Sequence, residues 1–138
     1  VGVHVGFSEE LAHKIEAGAD LFLMPSLYEP CGLSQMYSQK YGTLPVVRAT
    51  GGLDDTVSGW SKGKRGANGF KFTNKDPEAL LKTLADAAML YDDKKRWHKL
   101  VEAAMAVDNS WQNVIKKYTR LYQKVIKTKL EAGKPATE

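Results

Sequence analysis

The sequence contains one cysteine, Cys31, so no internal disulfide can form and a reducing compartment is the natural setting. No apolar run approaches the roughly 18–20 residues of a membrane-spanning helix, so no membrane partner is expected. The histidines stand at 4, 13 and 98, scattered among elements without ligand spacing, and no metal site is expected. There is no Walker motif, and Gly2 and Gly6 lack the G-x-G-x-x-G spacing of a dinucleotide-binding turn. Charge is nearly balanced: 20 basic against 16 acidic side chains leave +4, which suits anionic small molecules and is too weak to argue for nucleic acid.

The composition that remains is ordinary. With 138 residues, 43% hydrophobic and 26% charged, the chain is long enough for one domain with a core, though not comfortably for two. Basic residues gather late, in KKYTRLYQKVIKTK (116–129), where Tyr118, Leu121, Tyr122, Val125 and Ile126 recur at helical spacing. That pattern predicts one buried face and a solvated basic back, with Trp111 and Tyr118 as core anchors of the helix.

Strand and helix signals alternate. VGVHVGF (1–7) reads as a strand, and Ser8-Glu9-Glu10 announces a helix, with Leu11 and Ile15 on its apolar face. ADLFLMPS (19–26) and LPVVRA (44–49) are continuous apolar runs expected to be strands buried on both faces. Between them a helix is predicted over about 31–41, ending at Gly42. A Gly-rich polar loop (58–69) leads to a short edge strand, FKF (70–72), and helices follow over about 77–91, 93–107 and 110–128. Ser110 is a candidate N-cap, and the tail over 131–138 is expected to fray. The pattern predicts an α/β fold with a Rossmann-like, doubly wound parallel sheet in residues 1–130. Because Val1 falls inside an expected strand, the chain is read as a fragment or excised domain.

In such sheets ligands sit at the carboxyl ends of the strands. Three unusual loops fall there: Gly6-Phe7-Ser8, Tyr28 to Leu33, and Thr50 to Leu53. In the second, Pro30 restricts the backbone, Gly32 permits close approach, and the amides of Cys31, Gly32 and Leu33 are expected to point out of a helix start that suits anions and hydroxyls. Glu29 adds an acceptor. A carboxylate at this position has little structural purpose beyond favouring the helix dipole, so Glu29 is the first candidate site residue. Cys31 is read as a backbone contributor, since no His or second Cys stands near it to activate a thiolate. In the third loop, Gly51 and Gly52 open the backbone to a phosphate, and Arg48 is a candidate phosphate partner or a structural ion-pair residue. Phe7 is either core or a stacking platform, and His13 a packing or hydrogen-bonding residue of the first helix.

These residues carry a resemblance. ADLFLMPSLYEPCGLSQMYSQKYGTLPVVRATGGLDDTV (19–57), GFSEELAHKI before it and the late SW…Y..LY pattern resemble bacterial glycogen synthases and plant starch synthases over nearly the whole chain. The specific signal is Glu-Pro-Cys-Gly-Leu followed, eighteen residues after Leu33, by the Gly-Gly-Leu of a Thr-Gly-Gly-Leu turn. The resemblance implies the carboxyl-terminal half of a GT-B glycosyltransferase. Such enzymes transfer glucose from ADP-glucose to the non-reducing end of an α-1,4-glucan with retention, and they need no cofactor. It implies that Glu29 bonds the donor glucose and stabilises an oxocarbenium-like state. The amides of Cys31, Gly32 and Leu33 would hold glucose hydroxyls and the distal phosphate, and Phe7 would stack on adenine where the family usually has tyrosine. Thr50, Gly51, Gly52 and Leu53 would line the diphosphate and acceptor side. Tyr37 occupies the position, eight residues after Glu29, where many retaining GT-B enzymes place a ribose-binding glutamate; this agrees with the glycogen and starch synthase branch.

The family's Arg and Lys that neutralise the diphosphate, and its amino-terminal domain with the Lys-Thr-Gly-Gly-Leu loop, would lie upstream of Val1. The implied partners are therefore ADP-glucose or ADP, an α-1,4-glucan acceptor and that amino-terminal domain, and this segment alone is expected to be inactive. The implied location is the cytoplasm in a bacterium or the plastid in a plant. Rival readings are a GT-B glucosyltransferase using another nucleotide sugar, and a non-catalytic nucleotide- or glucan-binding module. A flavodoxin-like regulatory domain would want an acidic pocket that these strand ends lack.

Overall fold

The computed structural model describes residues 2–132. In chain order the elements are α1 (Glu9–Gly18), β1 (Leu21–Met24), α2 (Ser34–Tyr41), β2 (Leu44–Arg48), α3 (Gly51–Thr56), β3 (Phe70–Phe72), α4 (Pro77–Asp92), α5 (Lys94–Met105) and α6 (Trp111–Ala132). They fall into two compact units, divided between Val107 and Asp108.

The first unit is built on a parallel sheet in the order β1-β2-β3. Its central strand is the most apolar, and Leu44 to Arg48 are all buried. Alternation sends the side chains of β2 to two different packing clusters. Leu44 and Val46 meet Phe70 of β3, Ala87 and Leu90 of α4, and Trp97, Leu100 and Ala104 of α5. Val47 meets Leu53 and Val57 from around α3, with Met24 against them. Both faces of the sheet are thus covered, and the expected doubly wound α/β arrangement is present. Phe70 and Trp97 stack with centroids 6.4 Å apart, and Tyr91 meets Trp97 edge-on at 5.0 Å. Burying side chains of this size stabilises by roughly 1.5–3 kcal/mol each.

Local signals place the helix ends. The Ser8 side chain accepts the Leu11 amide at 3.2 Å, and Asp76 accepts that of Ala79 at 2.7 Å ahead of Pro77. Asp93 accepts the Arg96 amide at 3.1 Å, capping α5. Gly42 adopts φ +87° and closes α2, its amide donating to Gln39. The Thr43 hydroxyl, buried, donates to the carbonyls of Glu16 and Ala19 and ties the start of β2 to the end of α1.

Four expectations change. Residues 2–7 form no strand: no described strand pairs with them, and Val3, Val5 and Phe7 are exposed. Alternating apolar residues become a strand only beside a hydrogen-bonding neighbour. Next, β1 is half-buried rather than buried on both faces, because it is an edge strand with β2 as its one partner. On α1, Ile15 is exposed and the buried residue is Glu16. Lastly, Trp111 and Tyr118 are not core anchors. In the second unit α6 presents an exposed apolar stripe on which these two rings meet at 6.4 Å, since a single helix has no interior. The expected tail lies, from residue 133 on, outside the described residues, and no described helix is long and apolar enough to cross a membrane.

Candidate functional site

Because the sheet is parallel, β1 and β2 deliver their following loops to the same edge. The first runs from Pro25 to Leu33 and the second from Ala49 into α3. Helix α2 begins at Ser34, three residues later than expected, so Cys31, Gly32 and Leu33 form the approach to the helix rather than its first turn. Gly32 has φ +75°, a left-handed conformation that turns the chain into α2.

The two loops are clasped backbone to backbone. The Gly52 amide donates to the carbonyls of Glu29 at 3.0 Å and Pro30 at 3.2 Å. A Cβ on Gly51 would overlap the Glu29 carbonyl oxygen, and one on Gly52 would overlap the carbonyl oxygen and Cα of Cys31. The glycine pair expected to admit a phosphate therefore has a prior task, letting one loop lie against the other.

Gln35, at the first turn of α2, reinforces the clasp. It is fully buried, and its Nε2 donates to the carbonyls of Gly32 at 2.9 Å and Cys31 at 3.0 Å and to the Thr56 hydroxyl at 3.2 Å. Thr56 in turn donates to the Gly52 carbonyl at 2.6 Å. One side chain thus ties the Glu29–Leu33 loop to the helix that follows the second loop. Gln35 was missed in the sequence because a glutamine one turn into a helix usually faces water. Its signal was the run of small and apolar residues around it.

Arg48 is buried at the end of β2, where its Nε donates to the Ser26 carbonyl at 2.8 Å and its Nη2 to the Leu27 carbonyl. Among the described residues it has no carboxylate partner, and of the two roles open to it the ion pair is absent there; its hydrogen bonds clamp the backbone entering the Glu29 loop. Leu53 is fully buried against Val47 and Val57. Its side chain anchors the second loop from below, because the short α3 turns its apolar side to the sheet. Thr50 caps α3 through its carbonyl, which accepts the Leu53 amide at 3.1 Å.

What this scaffold presents is Glu29, Cys31, Gly32, Leu33 and the start of α3 on one edge. Among the described residues the Glu29 carboxylate makes no hydrogen bond or ion pair, and the amides of Cys31, Gly32, Leu33 and Gly51 donate to no protein acceptor. Unengaged donors beside a free carboxylate can hold an anion and hydroxyls together. Cys31 is exposed, its thiol 3.5 Å from the Gly32 carbonyl.

The side chains of the remaining candidates make no hydrogen bond within the clasp. Phe7 is 98% exposed, which removes the core reading and leaves its ring face open. Tyr37 is exposed on α2 with its ring 5.4 Å from His13. His13 also faces the Tyr41 hydroxyl at 3.4 Å and Glu16 at 3.7 Å. His13 therefore belongs to the contact between α1 and α2. No group of three or more His, Cys, Asp or Glu side chains is placed to hold a metal ion among the described residues.

Residues 3–107 match the family described as glycosyl transferases group 1. The chain is 52% identical over 122 residues to a glycogen synthase of Koribacter versatilis, covering 88% of this chain and 25% of that protein. It is 50% identical over 127 residues to one of Geobacillus thermodenitrificans, covering 92% and 26%. Among solved structures, the catalytic domain of starch synthase IV from Arabidopsis thaliana, described as bound to ADP and acarbose, superposes with a TM-score of 0.79 at 38% identity, over 87% of this chain and 25% of that one. The chain thus spans about a quarter of the length of the relatives it matches.

Proposed function

This chain belongs to glycosyl transferases group 1, and from that premise we propose that it is the donor-binding part of a glycogen or starch synthase. The proposed reaction moves glucose from ADP-glucose to the non-reducing end of an α-1,4-glucan with retention. The observation that carries this reading is the clasp. Glu29 and the unengaged amides of Cys31, Gly32, Leu33 and Gly51 are held together on one sheet edge, in a chain half identical to proteins named glycogen synthases.

On this reading the amides and Glu29 hold the donor glucose while the amides at the two loops face the diphosphate. The bond from C1 to the phosphate oxygen breaks as a bond from C1 to the acceptor 4-oxygen forms on the same face. The acceptor proton passes to the departing phosphate oxygen. Negative charge gathers on the diphosphate, and preorganised amides stabilise it without reorganising. Glu29 opposes the positive charge that develops on the glucose ring. Phe7 offers a ring face to adenine, and an amino-terminal domain supplies the acceptor contacts.

The test uses a protein carrying this segment behind an amino-terminal glycosyltransferase domain, with glucan elongation measured on ADP-glucose and UDP-glucose. Glu29→Ala is expected to lower kcat by about 10²–10³, the size typical of losing one transition-state electrostatic contact, with the melting temperature unchanged. Full activity in that variant would remove Glu29 from the mechanism. Equal use of UDP-glucose would favour the rival nucleotide. ADP binding without any transfer would favour a non-catalytic module. For the isolated segment, weak ADP binding and no transfer are expected.

A further inference from the structure

A second concave surface lies at the opposite edge of the sheet. The loop from Ser58 to Gly69 enters the amino end of β3, which in a parallel sheet is the edge away from Glu29 and Gly52. Its neck is closed by hydrogen bonds. Gly59 bridges Gly69, and the Trp60 amide donates to the Gly69 carbonyl at 2.8 Å. The Asn68 side chain accepts the Ser58 amide at 2.7 Å and donates to the Thr56 carbonyl at 3.1 Å.

Together with α5 this loop walls a cavity of about 580 Å³. That is the size of a small-molecule site. Trp60 backs the cavity, half-buried, with its ring centroid 6.1 Å from that of Phe70. Lys62, Lys64, Arg65, Arg96 and Lys99 line it, and no acidic side chain does. Asp86 and Asp93 line a neighbouring hollow that shares Trp60 and Arg96. Arg96 pairs with Asp93 at 3.2 Å, whereas Lys62, Lys64, Arg65 and Lys99 have no carboxylate partner among the described residues. Cations gathered in a concavity without counter-charges raise the local potential and concentrate anions there. A quarter of the chain's 20 basic side chains gather around this one hollow.

We propose that this cavity binds a small phosphate ester carrying a ring, of sugar-phosphate or nucleoside-monophosphate size. The ring lies against Trp60, and the phosphate is held by Lys64, Arg65 and Lys99. A phosphate monoester carries nearly two negative charges at neutral pH, and an arginine fork matches its oxygens. The site is separate from the donor loops, so its occupant is a second ligand, bound by the face of the domain remote from the proposed chemistry.

The test is a titration of the full chain with glucose 6-phosphate, AMP, inorganic phosphate and glucose, followed residue by residue in amide and indole NMR spectra. One of the two esters is expected to saturate at millimolar concentration or below, shifting the Trp60 indole and the amides of 61–66. Preference for one ester identifies the source. Lys64→Ala/Arg65→Ala, both in an exposed loop, is expected to weaken that binding at least about tenfold, one decade of the dissociation constant, with the thermal midpoint unchanged. The proposal is overturned if no ester saturates these signals, if the double variant binds as well as the parent, or if inorganic phosphate binds as tightly as the esters. Shifts confined to the residues around Glu29 and Gly51 would likewise overturn it, since they would place the ester at the donor loops.

Discussion

Replacing Gln35 by methionine keeps the length and most of the volume of a fully buried side chain while removing the donors that clasp the two loops. In the parent, Nε2 serves the Cys31 and Gly32 carbonyls and the Thr56 hydroxyl at 3.0, 2.9 and 3.2 Å. Two amide protons shared among three acceptors amount to about two hydrogen bonds, each worth roughly 0.5–1.5 kcal/mol net. The buried Gln35 Oε1 has no partner, and its removal returns part of that loss. The net expected cost is about 1–2 kcal/mol, with little cavity contribution because the thioether fills the space. For a unit of this size that lowers the melting temperature by roughly 5–15 °C. Thermal unfolding measures the cost. Hydrogen exchange at the Gly52 amide, which donates to the Glu29 carbonyl at 3.0 Å, reports where it falls. Gln35→Glu is expected to be worse than methionine, because it points a carboxylate at three acceptors. Parent-like melting in both variants, with unchanged exchange at Gly52, would refute the claim that Gln35 holds the loops together.

Gly52→Ala should force the loops apart, since its Cβ overlaps Cys31 backbone atoms that cannot rotate away. Overpacking of this kind costs about 1–3 kcal/mol. ADP affinity should fall with stability, and an alanine variant that melts and binds ADP like the parent would contradict the close packing. Arg48→Met should free the Ser26 and Leu27 carbonyls from their charged donor at a cost of about 1–3 kcal/mol. If Arg48 serves the backbone alone, that loss appears in thermal unfolding, while ADP affinity measured well below the melting point stays within a few-fold.

Much of the fold was legible because local rules and tertiary context agree. Ser8 caps a helix, Gly42 ends one, and the apolar run at 44–48 became the central strand. The expectations that changed depended on neighbours. VGVHVGF has the pattern of a strand, yet no described strand pairs with residues 2–7, and α6 has an apolar stripe that its own unit does not cover. Glu29 and the glycines of the site were visible as residues out of place for a strand end. The division of labour among them was not visible: Leu53 went to the core, Arg48 to the backbone, and Gly52 to a loop contact before any ligand.

Taken alone, the order of residues determined the alternation of strands and helices, the edge on which the unusual loops fall, and the family resemblance. Those properties depend on periodicity, capping and short motifs, which are local. Tertiary structure decided that the Glu29 and Gly52 loops touch, that Gln35 and Thr56 tie them, and that lysines and arginines from a loop and α5 surround one hollow beside Trp60. The contacts that run from one loop to another element join residues about twenty to forty positions apart. Their energy depends on distance in space and on exclusion of water, and neither is carried by neighbours along the chain.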